Sequence, residues 1–158
     1  MIRVGQGLDV HPFDESRPLI LGGIRISDTG GLHGHSDADA ALHALADAIL
    51  GAIGAGDIGE HFPSDEAKWK GVDSTRFVTG ALELLREKNG TINNVDVTII
   101  AQKPRLAPHR AAMRISIASI LSLPVDQVSV KATTTDRLGF AGREEGICAM
   151  AIVAIELP

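Results

Sequence analysis

Residues 147–157, ICAMAIVAIEL, are apolar at nearly every position. A strand with one wet face alternates apolar and polar side chains; this segment does not, and it predicts a strand buried on both faces. That requirement constrains the whole chain. At 158 residues the chain is expected to form one domain, 1–158. Helices can cover one face of its sheet, but the three that the sequence offers are few for both. Two arrangements satisfy the segment. Either it is a central strand covered on both sides, or the second face of its sheet packs against other subunits around an oligomer axis.

The remaining elements interleave. Residues 2–11 predict a strand, with Ile2, Val4, Leu8 and Val10 on one alternating set. Gly5 and Gly7 weaken that strand or mark a close approach to its backbone. Leu19 to Ile26, with Gly22-Gly23 inside, reads as a hairpin arm, and 27–34 as a Gly-rich loop. Ser36 opens a helix that runs to about Gly51, with Asp39 three residues on in a capping-box-like pattern. A turn-rich loop continues to Gly71. A second helix starts near Asp73 or Ser74 and ends at Asn89-Gly90. Val95 to Ile99 alternate as a strand, and Pro108 suits the first turn of a third helix that ends near Leu121. Val128 to Thr134 form a further strand, and Gly139 to Gly146 a loop. The pattern is a mixed α/β (α+β) domain with one sheet and helices packed against it.

Charge and composition narrow the function. The 15 Lys+Arg against 20 Asp+Glu leave a net charge of -5, which disfavours a general grip on nucleic acid or anionic lipid. Cys148 is the one cysteine and fits a reducing compartment. Arg3, Asp9 and Asp14 break up the first segment, so no leader is expected there. No stretch of 18 uncharged apolar residues occurs, so no membrane span is expected. The expectation is a cytoplasmic protein.

Of six histidines, five lie within the first 61 residues. Asp9 and His11 are two apart, so on a strand they project from one side. Asp39, His43 and Asp47 are four apart on an otherwise apolar helix, so they share a face with a drift of about 40° per step. That stripe is either a solvated face or one turned to a site. Asp9, His11 and His43 together make an Asp/His/His set suited to zinc with an open fourth position, although spacing alone does not show that helix and strand meet. His35 and Ser36 stand where a helix start would favour a phosphate. Lys131 to Asp136 run through three threonines into Gly139-Phe140-Ala141-Gly142-Arg143. This is either an ordinary β-branched strand end or a phosphate-binding turn.

These segments, in order, resemble one family. DVH at 9–11, HSDAD at 35–39, LHALADA at 42–48, GDIG at 56–59, FP…WKG at 62–71, VDVTIIAQ.P at 95–104 and KATTTDRLGFAGREEG at 131–146 are similar to the 2-C-methyl-D-erythritol 2,4-cyclodiphosphate synthases. The resemblance covers nearly the whole chain. It implies a lyase of non-mevalonate isoprenoid biosynthesis, forming the cyclodiphosphate and CMP from 4-diphosphocytidyl-2-C-methyl-D-erythritol 2-phosphate. It also implies a single mixed sheet with helices on one face, in a homotrimer whose sheets turn toward the three-fold axis and whose active sites lie between subunits.

By position, the resemblance makes Asp9, His11 and His43 zinc ligands, and His35 and Thr134 catalytic groups that stabilise the transition state. Asp136 takes the place of a Glu that holds a second cation, magnesium or manganese, between the phosphates. Ser36, Asp57, Ile58, Gly59, Phe62, Asp65 and Glu66 fall among substrate-binding positions. Ala101, Gln102, Lys103, Pro104, Arg105, Leu106 and Ala107 match a loop around the cytosine, with Arg105 in place of the usual Lys. Thr133, Thr135, Phe140 and Arg143 match further substrate or subunit-boundary positions. One departure is Ser64, where the family often has Asp; Asp65 substitutes if the loop shifts. Two other functions would use the same features: a zinc-dependent phosphohydrolase with water as nucleophile, and a non-catalytic metal-stabilised trimer that binds nucleotides.

Overall fold

The computed structural model describes all of residues 1–158. Its order is β1 (Ile2–Asp14), β2 (Leu19–Leu21), β3 (Ile24–Ser27), β4 (Gly31–Leu32), α1 (Ala40–Ala52), α2 (Ile58–His61), α3 (Thr75–Glu87), β5 (Thr91–Ile100), α4 (Arg110–Leu121), β6 (Val128–Thr133), α5 (Gly139–Gly142) and β7 (Gly146–Glu156). The main sheet is mixed, in the order β4-β1-β7-β5-β6, with only β5 and β6 parallel. The expected single sheet is joined by a separate ribbon: β2 and β3 pair with each other through Gly22-Gly23, both at positive φ.

The apolar last strand is central, between β1 and β7's other neighbour β5, but it is not buried on both faces. Its odd-numbered residues Ile147, Ala149, Ala151, Val153 and Ile155 are buried under the helices. On the other face Ile152 is 45% exposed. The same face continues onto β1, because Val4, Leu8 and Val10 pair with Ala154, Met150 and Cys148. Ile2, Val4, Leu8 and Val10, the apolar set of β1, are thus exposed and point away from the helices. Apolar patterning finds buried faces, and within one chain this face has no cover.

The inner face of β1 carries glycines instead. A Cβ on Gly5 would lie 1.9 Å from the Ala48 carbonyl oxygen, and one on Gly7 would lie 1.9 Å from that of Ala44. The Ala-rich α1 therefore sits directly on the β1 backbone, small residue against no residue at all. This is the close approach that Gly5 and Gly7 foreshadow in the sequence. It also turns α1 so that His43 faces β1.

Helix α1 begins at Ala40, later than expected, because Asp39 rather than Ser36 is its cap. The Asp39 carboxylate accepts from the backbone N–H of Leu42 at 3.0 Å and from Gly22 and Gly23 at 2.9 and 2.7 Å. One buried carboxylate thereby joins the helix to the β2–β3 turn. Burial pushes its pKa up to about 6 against these donors. Asp39→Ala removes a cap, worth about 1 kcal/mol, and orphans two further N–H groups at roughly 1–3 kcal/mol each. A loss on the order of 3 kcal/mol is expected, read as a lowered urea midpoint at unchanged slope.

Smaller differences have local causes. Residues 27–34 include β4, which pairs with Phe13 and Asp14. The turn-rich 51–71 segment contains α2, capped by Asp57, whose Oδ1 accepts from the Glu60 N–H at 3.1 Å. The expected 139–146 loop begins with the single turn α5. Helices α3 and α4 end as their sequences suggest, with Asn89 and Ser122 in the left-handed region. No helix is long and apolar enough to cross a membrane.

Candidate active site

Strand β1 and helix α1 bring Asp9, His11 and His43 together. One oxygen or nitrogen from each lies within 4.8 Å of the others. Asp9 Oδ2 is 2.7 Å from His11 Nε2 and 3.2 Å from His43 Nδ1, and the two ring nitrogens are 3.3 Å apart. Four donors around a cation at about 2.0–2.1 Å stand roughly 3.3 Å from one another. The three atoms have nearly that spacing already. Asp9 Oδ2 is moreover enclosed without an aligned hydrogen-bond donor. Three lone-pair atoms facing one another in a partly buried place fit a divalent cation.

The surroundings orient the ligands. His11 Nδ1 donates to the His33 carbonyl oxygen at 2.8 Å, which leaves Nε2 for a cation. Gly34 permits this turn, since a Cβ there would lie 3.2 Å from His11 Cε1. Arg17 clasps the same loop by donating to the Gly34 carbonyl at 2.7 Å and to the Ser36 carbonyl. Burial raises the pKa of Asp9, but close contact with His11 and His43 and their charge outweigh it and hold the carboxyl well below the usual range. Burial works against charge on His11 too, and its contact with Asp9 reverses the sign, so its pKa is raised.

The helix stripe divides into three tasks. Asp39 caps, His43 faces the cation site, and Asp47 accepts from the Ile58 N–H at 2.8 Å and so fixes the start of α2. Burial raises the Asp47 pKa, with Asp57 and Asp9 adding to the rise against that backbone bond. Asp57, Ile58 and Gly59 are thereby held beside the C-terminal half of α1.

An aromatic path leads from the next loop to the cluster. Phe62 meets Trp69 and Phe77 edge-on at 5.1 and 5.2 Å, and Phe77 meets His43 at 5.3 Å. Gly80 of α3 makes room for Phe62, as its Cβ would fall 2.5 Å from the ring. Ser64, Asp65 and Glu66 lie exposed on the same loop, Glu66 paired with Lys68.

His35 is exposed, but the helix-start anion site expected beside it is not formed. Asp39, a carboxylate, occupies the α1 cap. Ser36 is only 3% exposed, and its hydroxyl is turned inward, accepting from the Ala38 N–H at 3.2 Å.

A second concavity lies elsewhere on the sheet. Ala101, Gln102, Pro104, Arg105, Leu106 and Ala107 line a cavity of about 310 Å³ with Arg110, Ala132, Thr133 and Thr134. Buried Leu106 anchors the loop, and the Ala101 N–H donates to the Thr133 carbonyl at 2.9 Å. The two stretches matched separately in the sequence thus form one wall. Lys103 lies outside that wall and pairs with Glu144 at 3.2 Å. Asp136 and Arg137 follow in a left-handed turn, tied to the loop because Gln102 Oε1 accepts from the Arg137 N–H at 3.2 Å. The Thr135 hydroxyl donates to the Leu138 carbonyl at 2.6 Å, Phe140 is exposed, and Arg143 pairs with Glu145 at 2.8 Å. Burial pushes the Cys148 thiol pKa up, which speaks against a thiolate nucleophile.

The two places are separated within one chain. Asp9 pairs with Ala149, Ala149 with Ile99, and Ile99 with Ala132. Three strand steps of about 4.8 Å put roughly 14 Å between them.

Sequence reading missed Ser74. It lies fully buried at the start of α3, and its Oγ is 2.8 Å from His43 Nε2. Its place next to Asp73 suggested only a helix start, and nothing local to 73–75 announces a partner on α1.

The pattern of the YgbB family matches residues 2–156. The 2-C-methyl-D-erythritol 2,4-cyclodiphosphate synthase of Halalkalibacterium halodurans is 56% identical over 155 residues, which are 98% of this chain and 99% of that protein. The bifunctional enzyme IspD/IspF of Caulobacter vibrioides is 56% identical over 156 residues, and there the match spans 99% of this chain but 41% of the relative. Among solved structures, the bifunctional IspDF of Campylobacter jejuni superposes with a TM-score of 0.96 at 43% identity, covering all of this chain and 43% of that one. The CDP complex of IspF from Plasmodium falciparum superposes at 0.86 with 36% identity, covering 99% and 96%. The chain belongs to the YgbB family.

Proposed function

We propose that this chain is a cyclodiphosphate synthase, a phosphorus–oxygen lyase that turns 4-diphosphocytidyl-2-C-methyl-D-erythritol 2-phosphate into 2-C-methyl-D-erythritol 2,4-cyclodiphosphate and CMP in the cytoplasm. The observation that supports it most is the convergence of Asp9, His11 and His43 on one point, in a chain alike over its full length to a synthase of that name. An oxygen of the 2-phosphate attacks the β-phosphorus and closes the ring. The bond from that phosphorus to the oxygen bridging to the α-phosphorus breaks, and CMP leaves with the electron pair.

Asp9, His11 and His43 would hold a zinc ion, which would supply Lewis acidity to the diphosphate, and Asp136 would help hold a magnesium or manganese ion, which would shield the phosphates. The chain's own part is to position and neutralise. Exposed His35 and Thr134 are free to donate to developing negative charge. The 101–107 wall with Thr133 takes the cytidine, and Asp57, Ile58, Gly59 and the 62–66 loop take the erythritol. Ser36 contributes through its backbone, since its hydroxyl is buried.

The proposal includes a homotrimer. The uncovered apolar face of β1 and β7 supports it, and so does the roughly 14 Å between cation site and cavity, which suits a site completed by the neighbouring subunit. Sizing chromatography is expected to give about three times 16.6 kDa; a monomer contradicts the shared site.

Asp136 is one exposed carboxylate, fitting a magnesium held mostly by phosphates and water. Asp136→Ala is expected to retain zinc stoichiometry and lose the magnesium dependence of turnover. Full magnesium-dependent activity removes Asp136 from the reaction. The function itself is tested by CMP release from the cytidyl substrate. Release is expected with zinc and magnesium present and is lost after chelation; a chain inert under both conditions contradicts the proposal.

A further inference from the structure

Behind the cation cluster lies a second layer of buried polar groups. His43 presents Nδ1 to Asp9 and His11. Its other nitrogen, Nε2, is 2.8 Å from Ser74 Oγ and 3.1 Å from Ser36 Oγ. Ser74 is 0% exposed. Its hydroxyl donates to Asp37 Oδ1, and its backbone N–H donates to Asp37 Oδ2 at 3.1 Å. Asp37 is fixed in turn, because its Oδ1 also accepts from the Asp39 N–H at 3.1 Å and its backbone N–H reaches the Val72 carbonyl.

The polarity of this chain of bonds has one solution. An ionised carboxylate only accepts, so the single hydroxyl proton of Ser74 is committed to Asp37. Ser74 Oγ then has only lone pairs to offer His43, and His43 Nε2 must carry the proton between them. A serine at the first position before a helix ordinarily spends its oxygen on the helix's own N–H groups. Ser74 holds that position in α3 and makes no such bond. Its hydroxyl is diverted from capping to His43 and Asp37.

We propose that Ser74, oriented by Asp37, is a positioning residue that locks His43 in the Nε2–H form and so commits Nδ1 to the cation. This rests on the reading that Asp9, His11 and His43 hold a divalent cation. It adds an outer shell from α3 and the 34–37 loop, neither of which touches the cation. Groups of this kind around metal-bound histidines change affinity by about 10–100-fold.

Two measurements test it on the full-length protein. The first is zinc affinity by chelator competition, with Ser74→Ala and Ser74→Thr beside the natural chain. Ser74→Ala is expected to bind zinc about 10–100-fold more weakly, and Ser74→Thr, which keeps the oxygen, to recover most of the affinity. Equal affinity of Ser74→Ala and the natural chain overturns the proposal. The second needs no substitution and stands even if a variant fails to fold. Long-range proton–nitrogen spectra of the zinc-loaded natural chain are expected to show His43 protonated at Nε2 and metal-bound at Nδ1. Binding through Nε2 overturns the proposal. If the natural chain binds no zinc, the cation reading itself is what fails.

Discussion

His43→Ala is expected to fold, to lose zinc binding at the proposed site and to lose the proposed activity. The site then offers two ligands on one strand, Asp9 and His11, and nothing from α1 to close around the cation. The loss of affinity exceeds the about 10–100-fold that an outer-shell change produces. Turnover is expected to fall by more than about a thousand-fold, beyond the cost of removing one electrostatic donor from an active site. The fold survives because α1 is held by Ala41, Leu42, Leu45, Ile49 and Leu50, all fully buried, and not by the imidazole. Two buried hydroxyls, Ser36 and Ser74, lose a partner, at roughly 1–3 kcal/mol each. Zinc content per chain by elemental analysis, beside circular dichroism, checks this. Full zinc content in a folded His43→Ala protein removes His43 from the ligand set.

Gly7→Val has its effect on the fold first and on the site through it. Even the Cβ would overlap the Ala44 carbonyl at 1.9 Å and crowd the Ala48 N–H at 2.8 Å. These are backbone atoms of a helix, and they cannot rotate away. The helix must lift off β1, and overpacking of this kind costs about 3 kcal/mol or more. Lifting α1 also draws His43 away from Asp9 and His11, so zinc affinity falls together with the melting temperature. A Gly7→Val protein as stable as the natural chain would show that helix and strand do not pack this closely.

The legibility of this chain differs between backbone and site. The long helices and strands are visible in their apolar patterns and in the turn residues at their ends, with β7 and α1 read from near-continuous apolar runs and not from one apolar side. The Asp9–His11 pair follows from strand alternation alone. Its meeting with His43 does not, since that depends on Gly5 and Gly7 admitting α1 onto β1. The start of α1 is not legible in the sequence because both Ser36 and Asp39 can cap; the β2–β3 turn, distant in sequence, decides it by giving Asp39 two more donors. The last strand reads as doubly buried because sequence records a face that must be covered, and not what covers it. The 101–107 wall is partly visible in the sequence, and the role of Ser74 is not, for a topological reason. The wall joins adjacent strand ends, whereas Ser74 and His43 come from separate helices.

The proposed activity requires that one site, completed between neighbouring subunits, both grips the cytidyl diphosphate and closes the ring. Phosphorus NMR of the zinc- and magnesium-loaded protein with 4-diphosphocytidyl-2-C-methyl-D-erythritol 2-phosphate measures this directly. The account predicts one CMP for each 2-C-methyl-D-erythritol 2,4-cyclodiphosphate, with the two phosphorus signals of the ring coupled to each other. CMP accompanied by the open-chain bisphosphate would contradict it and make the protein a hydrolase.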